Sequence, residues 1–178
     1  MKKKLLTAIF VFSLWGNMQA QDAPHGYPYS PVPFTSVKVT DSFWGQRLKA
    51  SREVTIPLAF SKCEESGRYE NFVKAAHPSE NYKVEGLPFD DTDVYKTIEG
   101  ASYLLQTYPD KKLKSYIDSV LAIVAAAQEP DGYLYTSRTM NPKHPHAWSG
   151  SRRWEKVEDL SHEFYNLGHM VEGAIAHY

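Results

Sequence analysis

The segment from Ser161 to Tyr178 carries the residue types best suited to chemistry. On a helical wheel it shows a polar stripe at i, i+3, i+7 and i+10, formed by His162, Tyr165, His169 and Glu172. Imidazole, phenol and carboxylate groups on a rigid helix offer the donors and acceptors that a hydroxyl-rich ligand needs. The same groups would equally serve as satisfied interior residues between helices, and spacing alone leaves both roles open. A metal is disfavoured, because the two histidines lie roughly 10 Å apart along the axis and zinc histidines on one helix prefer i, i+4.

A second group of candidates is the acidic run Phe89-Asp-Asp-Thr-Asp93. Asp90 and Asp91 are interpreted first as caps of a following helix, where carboxylates also favour the helix dipole. Asp93 could instead face a pocket from the first turn. Carboxylates in sugar sites bind hydroxyl groups, and paired carboxylates run glycoside hydrolysis.

Two further segments are open to more than one interpretation. Residues 128–134 (Gln-Glu-Pro-Asp-Gly-Tyr-Leu) favour a structural turn after a helix. The segment 137–158 is predicted to be a long loop rich in aromatic and basic side chains. They are His144, His146, Trp148, Arg152, Arg153 and Trp154. Such side chains suit stacking on a sugar face and clamping of its hydroxyls, and they suit a surface loop almost as well.

The elements that must position these residues are mainly helices. A first helix is predicted to begin at Asp41 or Ser42 and to kink or restart at Pro57. Residues 67–89 are predicted to form a long loop. Two helices then follow, one starting within residues 90–92 and one after Pro109-Asp110, and together they form an antiparallel hairpin. Their apolar positions are Val94, Ile98, Ala101 and Leu105 in the first and Leu113, Ile117, Val120, Leu121, Val124 and Ala125 in the second.

The last helix is predicted to be capped by Ser161 or Asp159 and to continue to Tyr178. Its apolar stripe predicts the core-facing side and consists of Phe164, Leu167, Val171, Ala174 and Ile175. Short strands are predicted at residues 37–39 and 133–135. The fold class is therefore mainly α, built from helical hairpins.

The N-terminal residues and the overall charge limit the classes of ligand that the protein can bind. Residues 1–20 have a basic start, a short apolar run and a small residue before Gln21, which indicate a secretory signal peptide. Residues 21–36 form a proline-rich extended lead. Without residues 1–20 the chain has 17 Lys and Arg against 21 Asp and Glu, a net charge of −4. This charge balance gives no basic surface of the kind that binds nucleic acid or anionic lipid. Cys63, the single cysteine, is interpreted as a packing residue.

The ordered set of motifs resembles the β-L-arabinofuranosidases of glycoside hydrolase family 127 and its close relatives. The matching segments, in chain order, are Asp41-Ser-Phe-Trp-Gly45 with Arg47, Thr55-Ile-Pro57, Asp91 to Glu99, Gln128 to Leu134 and His162 to His169. The resemblance spans about residues 37–178. Phe164 stands where many relatives carry Leu or Met, which is a volume-tolerant change.

The resemblance implies an (α/α)6 toroid of helical hairpins that binds sugar at its mouth and removes terminal β-L-arabinofuranose from plant glycans with retention of configuration. It also implies a zinc-bound cysteine nucleophile, a glutamate acid/base, and further cysteines and a glutamate that hold the metal. Nothing in this sequence matches those residues, so no catalytic residue and no metal ligand is assigned here. His162, His169, Tyr165 and Asp93 carry over as expected substrate contacts.

Several expectations follow for the protein as a whole. The chain is expected to be the N-terminal portion, residues 37–178, of the toroid domain, with no membrane span after signal removal, exported to the periplasm or beyond. A partial toroid should leave a helix face uncovered and self-associate. Two alternatives remain open: a toroid polysaccharide lyase or uronide hydrolase, and a secreted glycan-binding helical module without catalysis.

Overall fold

The structure, a computed structural model, describes residues 29–178. Residues 29–37 belong to a separate compact unit, in which Phe34–Ser36 form a 3-10 turn. Residues 38–178 form the second unit, which holds the other elements described below. The predicted signal peptide lies outside the described residues and stays a prediction.

The helices of the second unit have the following bounds. They are α1 Ser42–Ala50, α2 Ile56–Glu65, α3 Arg68–Ala76, α4 Asp91–Thr107, α5 Lys111–Ala127, α6 Thr136–Thr139 and α7 Glu163–His177. A π-helical segment, Ser51–Thr55, joins α1 to α2, and Ala147–Ser149 form a 3-10 turn. No helix of the described part is long and apolar enough to cross a membrane.

The first helical segment begins and bends where the sequence predicts. Asp41 caps α1 by accepting the N–H of Trp44 at 2.7 Å. Pro57 lies at the start of α2 and has no N–H to donate, so the backbone widens into the π turn just before it. The perturbation predicted at Pro57 therefore takes the form of a π turn rather than a break.

Four predictions of secondary structure are wrong. Residues 37–39 and 133–135 lack strand partners among the described residues and run as extended single segments. The predicted loop 67–89 contains α3, because Gly67, at φ 77°, turns the chain two residues after the end of α2. The predicted loop 137–158 overlaps α6, which begins at Thr136.

The core forms where α2, α3, α4 and α5 pack together. Asp110 caps α5 by accepting the N–H groups of Lys112 and Leu113, so α4 and α5 fold back on each other across three residues as predicted. The fully covered apolar side chains include Phe60, Phe72, Val94, Ile98, Ile117 and Val120. Cys63 lies buried among them on α2, which confirms its role as a packing residue.

The last helix packs on α4 with a different face from the predicted one. Glu163, Asn166, Gly173 and Ala176 are its buried residues. The stripe predicted to be core is exposed instead. Its residues, which all face outward, are Phe164, Leu167, Val171, Ala174 and Ile175. His162, not Ser161 or Asp159, occupies the N-cap position.

Gly173 sets how closely α7 approaches α4, and this yields a stability prediction. A Cβ at Gly173 would lie 3.0 Å from the main-chain oxygen of Tyr95, so Gly173→Ala forces two backbones apart and should destabilise by about 1–2 kcal/mol. Gly168→Ala, on the same helix with nothing within 4 Å of its added Cβ, should be neutral or stabilising by up to about 1 kcal/mol. Urea unfolding of both variants measures the difference, and equal effects would contradict the close helix contact.

Candidate functional site

The polar stripe of α7 lies along the seam with α4, next to the buried face of α7. Asp93, Lys96 and Glu99 follow one another at three-residue intervals on α4. The ε-ammonium of Lys96 joins the two helices: it lies 3.4 Å from the Asp93 carboxylate and 3.4 Å from the hydroxyl of Tyr165. Of the two roles that the spacing left open, the structure shows the helix-packing one for Tyr165, and the ligand-binding role stays a prediction. We call this surface the α4–α7 seam.

His162 stands at the start of α7 in a left-handed backbone conformation, with φ 55°. Its Nδ1 lies 2.8 Å from the carbonyl oxygen of Leu160. A carbonyl only accepts, so Nδ1 carries the proton and Nε2 is the acceptor of the neutral ring. The ring packs against Phe89 at 4.3 Å between centroids, and its side chain is half-buried. This geometry leaves Nε2 suited to accept a hydrogen bond from a hydroxyl group.

Asp93 is neutralised by two cations rather than standing alone. Its carboxylate accepts from Nε of Arg68 at 2.8 Å, and Arg68 also reaches Asp90 at 3.3 Å. Beside these residues lies an open groove of about 620 Å³, lined also by Cys63 and Thr97. Asp93 therefore borders a groove, as expected, but as a member of an ion-pair network.

His169 lies further along the seam beside two carboxylates. Its Nδ1 is 3.1 Å from Glu172, without the alignment of a hydrogen bond, and is buried without a partner. The Tyr165 ring meets the imidazole edge-on at 4.4 Å between centroids. Glu99, His169 and Glu172 bring their ligand atoms within 4.8 Å of one another, which makes them the one group among the described residues able to approach a cation together.

The acidic residues predicted to cap α4 make other hydrogen bonds instead. Asp90 makes no side-chain cap; its carboxylate accepts the N–H of Leu87 at 2.9 Å. Asp91 accepts the N–H and hydroxyl of Thr136 at 2.9 and 2.6 Å. Burial raises the pKa of Asp91 to about 6, although the Thr136 hydrogen bonds act in the opposite direction. Asp91 thus joins the start of α4 to α6 instead of capping α4.

The aromatic and basic loop is held to the 128–134 turn. Arg153 forms ion pairs with Glu129 and Asp131 and lies 4.1 Å above the centre of the Tyr133 ring. Gly132, at φ 89°, makes the predicted turn. Arg153 is therefore committed to internal contacts, which favours the structural interpretation for this arginine.

Comparison with known proteins identifies the family of the chain. The model of the GH127 catalytic domain, described as β-L-arabinofuranosidase, matches residues 36–178. The chain belongs to this family. This confirms the resemblance drawn from the ordered motifs.

Relatives of known sequence and structure agree with that assignment. A non-reducing end β-L-arabinofuranosidase from Bifidobacterium longum subsp. longum is 29% identical over 161 residues, which is 80% of this chain and 24% of the relative. A solved GH127 β-arabinofuranosidase is 84% identical with a TM-score of 0.84, over 86% of this chain and 24% of that one. A GH127 β-L-arabinofuranosidase from Geobacillus stearothermophilus T6 is 34% identical with a TM-score of 0.69, over 79% and 22%.

These GH127 neighbours also support the fold class. The described residues are helical without strands, and the architecture is mainly α, consistent with part of an (α/α)6 toroid of helical hairpins. The chain spans about a quarter of the length of the relatives it matches. It therefore corresponds to a few hairpins of the family's fold rather than to the whole ring.

The cysteine-rich zinc site implied by the family does not fit this chain's residues. Cys63 is the single cysteine; it is buried on α2, and burial raises the pKa of its thiol. The group at Glu99, His169 and Glu172 contains no sulfur ligand. No step of chemistry through zinc is therefore derived from these residues.

Sequence reasoning missed one residue of the site entirely. Glu163 directly follows His162, and its carboxylate is buried, since only 1% of the residue is exposed. Its Oε1 accepts the hydroxyl of Tyr133 at 2.6 Å, and both of its oxygens accept the N–H of Trp154. The contacts come from positions nine and thirty residues away, so helical periodicity carried no signal for them.

Proposed function

We propose that this chain is part of a glycoside hydrolase that removes terminal β-L-arabinofuranose from plant-type glycans with retention of configuration. The observation that carries the proposal is the GH127 family match across residues 36–178. The names of the relatives, which are β-L-arabinofuranosidases, support the same sugar and the same bond. The proposal also includes export to the periplasm or the outside, because residues 1–20 have the pattern of a signal peptide.

The chain's own contribution is to bind and orient the sugar at the α4–α7 seam. Nε2 of His162 accepts a sugar hydroxyl, because the Leu160 carbonyl already takes the proton of Nδ1. The Tyr165 hydroxyl and the Asp93 carboxylate, both linked to Lys96, offer a donor and an acceptor nearby along the seam. The His169 imidazole packs edge-on against the Tyr165 ring. A ligand with several hydroxyl groups matches this mixture of donors and acceptors.

Residues outside this chain would supply the covalent chemistry. The zinc-bound cysteine and its ligands that the family resemblance implies find no counterpart here, since the chain has one buried cysteine. The 178-residue chain alone is therefore expected to be inactive, and the complete product of its gene is expected to be active.

The charge of the seam separates this proposal from the alternatives. A polysaccharide lyase or uronide hydrolase takes an anionic substrate and would need a basic cleft, whereas Arg68 and Lys96 are balanced here by Asp93, Glu99 and Glu172. A non-catalytic glycan-binding module would use the same seam without turnover, and the family match gives that alternative no better support.

The decisive experiment assays the complete gene product on 4-nitrophenyl β-L-arabinofuranoside. We expect release of L-arabinose, with the β anomer appearing first by NMR. The α-L-arabinofuranoside and an unsaturated uronide should remain uncleaved. A folded protein that binds arabinofuranosides and never hydrolyses them would favour the binding module instead.

The proposed contact of His162 has its own test. His162→Ala should lower kcat/KM about tenfold, because one hydrogen bond to the sugar is worth about 1–1.5 kcal/mol. His77→Ala is the matched control, since His77 is exposed at the end of α3, away from the seam. Equal activities of the two variants would remove His162 from the binding site.

A further inference from the structure

Two non-glycine residues, Trp154 and His162, adopt left-handed backbone conformations, and they are the two such residues in the described part of the chain. Their φ values are 65° and 55°. A positive φ is uncommon for a residue other than glycine, and for a side chain as bulky as that of Trp154 it persists only where the surroundings hold it. The connection between them, residues 155–161, is therefore flanked by two residues of positive φ.

One carboxylate joins the two ends of this connection. Glu163 is the first residue of α7, directly after His162, and is 1% exposed. Its two oxygens accept the main-chain N–H of Trp154 at 3.1 and 3.0 Å. The hydroxyl of Tyr133 donates to Oε1 at 2.6 Å. Glu163 thus clamps the far end of the connection onto the first turn of α7.

Aromatic packing of the Trp154 ring also holds this end of the connection in place. Its ring stacks on Phe164 at 5.1 Å with an 18° angle and meets Tyr133 edge-on at 5.4 Å. Leu160 lies in the clamped connection, and its carbonyl oxygen accepts from Nδ1 of His162. The connection is therefore held at Trp154 by Glu163 and at Ser161, whose carbonyl oxygen accepts the Tyr135 hydroxyl at 2.5 Å. The Leu160 carbonyl lies between these two points and fixes the tautomer of the imidazole.

We propose that Glu163 is a positioning residue for sugar binding: its buried carboxylate fixes the 155–161 connection so that His162 presents Nε2 as an acceptor to the substrate. This inference rests on the proposed function, in which His162 contacts the sugar. A carboxylate is needed because it accepts from an N–H and a hydroxyl at once with both oxygens, which a buried apolar side chain of equal volume does not do. Burying such a group is costly unless its hydrogen bonds are complete, as they are here.

A double-mutant cycle in the complete gene product tests whether Glu163 acts through His162. Glu163→Gln keeps the volume and the acceptor for Tyr133 but places an amide donor opposite the N–H of Trp154. We expect it to lower kcat/KM about five- to tenfold, mainly through KM, and to lower it less than twofold when His162 is already alanine. Equal losses in both backgrounds would mean that Glu163 acts only on general stability and would overturn the proposal.

A second readout does not depend on turnover. The ring ¹⁵N shifts of His162, assigned by their loss in His162→Ala, should report a proton fixed on Nδ1 in the wild type and a mixture of tautomers in Glu163→Gln. An unchanged Nδ1–H tautomer in the variant would refute positioning even if the enzyme proved to cleave another sugar. If the wild type shows the fixed tautomer but no hydrolysis, the proposed function fails while the positioning role stands.

Glu163→Asp keeps both tests valid if the glutamine variant does not fold. The shorter side chain retains the charge and loses reach to Trp154, so it should release the tautomer and raise KM in the same way. Glu158→Gln is the matched control, because Glu158 is an exposed carboxylate of the same connection. Its KM should stay within twofold of the wild-type value, and a KM rise equal to that of Glu163→Asp would count against the clamp.

Discussion

Replacing Asp91 by alanine is expected to lower the free energy of unfolding by about 2–3 kcal/mol. The Asp91 carboxylate accepts both the N–H and the hydroxyl of Thr136, and the two residues are 2% and 0% exposed. Alanine would leave two buried donors without a partner, each at a cost of about 1–3 kcal/mol, offset in part by relief from burying a charge. Urea unfolding of the chain measures the loss.

The loss of stability should extend beyond α4, because Asp91 joins two parts of the chain. It is the first residue of α4, while Thr136 is the first residue of α6, forty-five positions later. Asp91 therefore caps α6 from a distance. Asp118→Ala is the matched control: Asp118 is a half-exposed carboxylate on α5 that pairs with Lys114, and its loss should cost less than about 0.5 kcal/mol. A similar cost for both variants would contradict the buried clamp.

The free energy of unfolding should depend on pH through the protonation of Asp91. Burial raises the pKa of this carboxyl from 3.8 in the unfolded chain to about 6 in the folded chain. Between these two pH values the folded state keeps a proton on Asp91 that the unfolded state has released. The stability that this proton contributes is fully present below pH 4 and is lost as the pH rises to 6. The total loss is about 3 kcal/mol, since each pKa unit corresponds to about 1.4 kcal/mol.

Asp91→Asn provides the measurement, because it has no proton to release. The free energies of unfolding of the wild type and the variant are measured at pH 4, 5, 6 and 7. The wild-type value should fall relative to that of the variant by about 1.4 kcal/mol per pH unit between pH 4 and 6, and the two curves should run parallel above pH 6. Parallel curves over the whole range would show that Asp91 titrates normally. Other acids titrate in both proteins and cancel in the difference.

Local patterns were enough to predict the helical hairpin and several helix starts. The apolar positions of α5 repeat at i, i+3, i+4 and i+7, and Asp110 has the residue type and place of a cap, so both the helix and its start were correct. The turn at residues 130–132 followed from its glycine and proline. These features depend on neighbours in sequence, which is why sequence alone specified them.

The errors arose where contacts distant in sequence decide the structure. Gly67 and the prolines and glycines up to residue 88 suggested one long loop, but Gly67 makes a single sharp turn. The nine residues of α3 then pack on α5 and bury Phe72 and Ala75 in the core. A helix that short has too few turns for its periodicity to stand out.

The site was predicted in part for the same reason. Tyr165 and His169 lie on one side of α7 as predicted, whereas His162 lies at its N-cap rather than within the helix. The structure brings Tyr165 to Lys96 on α4. The clamp made by Glu163 depends on Trp154 and Tyr133, neither of which a wheel of α7 contains. Polar burial of this kind needs the partner helix and loop to be known.

The 178-residue chain is expected to self-associate through the exposed apolar stripe of α7. Phe164 and Ile175 are 60% and 70% exposed, and Leu167 and Val171 lie between them on the same face. A contiguous apolar face of this kind seldom remains uncovered in a monomer and usually marks an interface. At about 50 µM the chain should elute above its monomer mass, 20.3 kDa for the full sequence, by size exclusion with light scattering.

Introducing charge on that face should restore the monomer. The combined substitution Leu167→Lys, Val171→Glu and Ile175→Lys places charges where an apolar partner would pack, and it leaves the buried face of α7 at Asn166 and Gly173 untouched. The expected result is a monomeric chain with an unchanged melting temperature. Val73→Asp, on an exposed position of α3, is the control and should leave the oligomer intact.

The melting temperature is what makes this test informative. If the stripe faces outward, the three charges cost almost nothing in the folded monomer, since surface substitutions usually change stability by less than about 0.5 kcal/mol. If the stripe were packed inside, burying three charges would unfold the chain. A destabilised triple variant would therefore contradict the orientation of α7, whereas a stable monomer would mark this face as the side on which a further helix of the family's toroid packs.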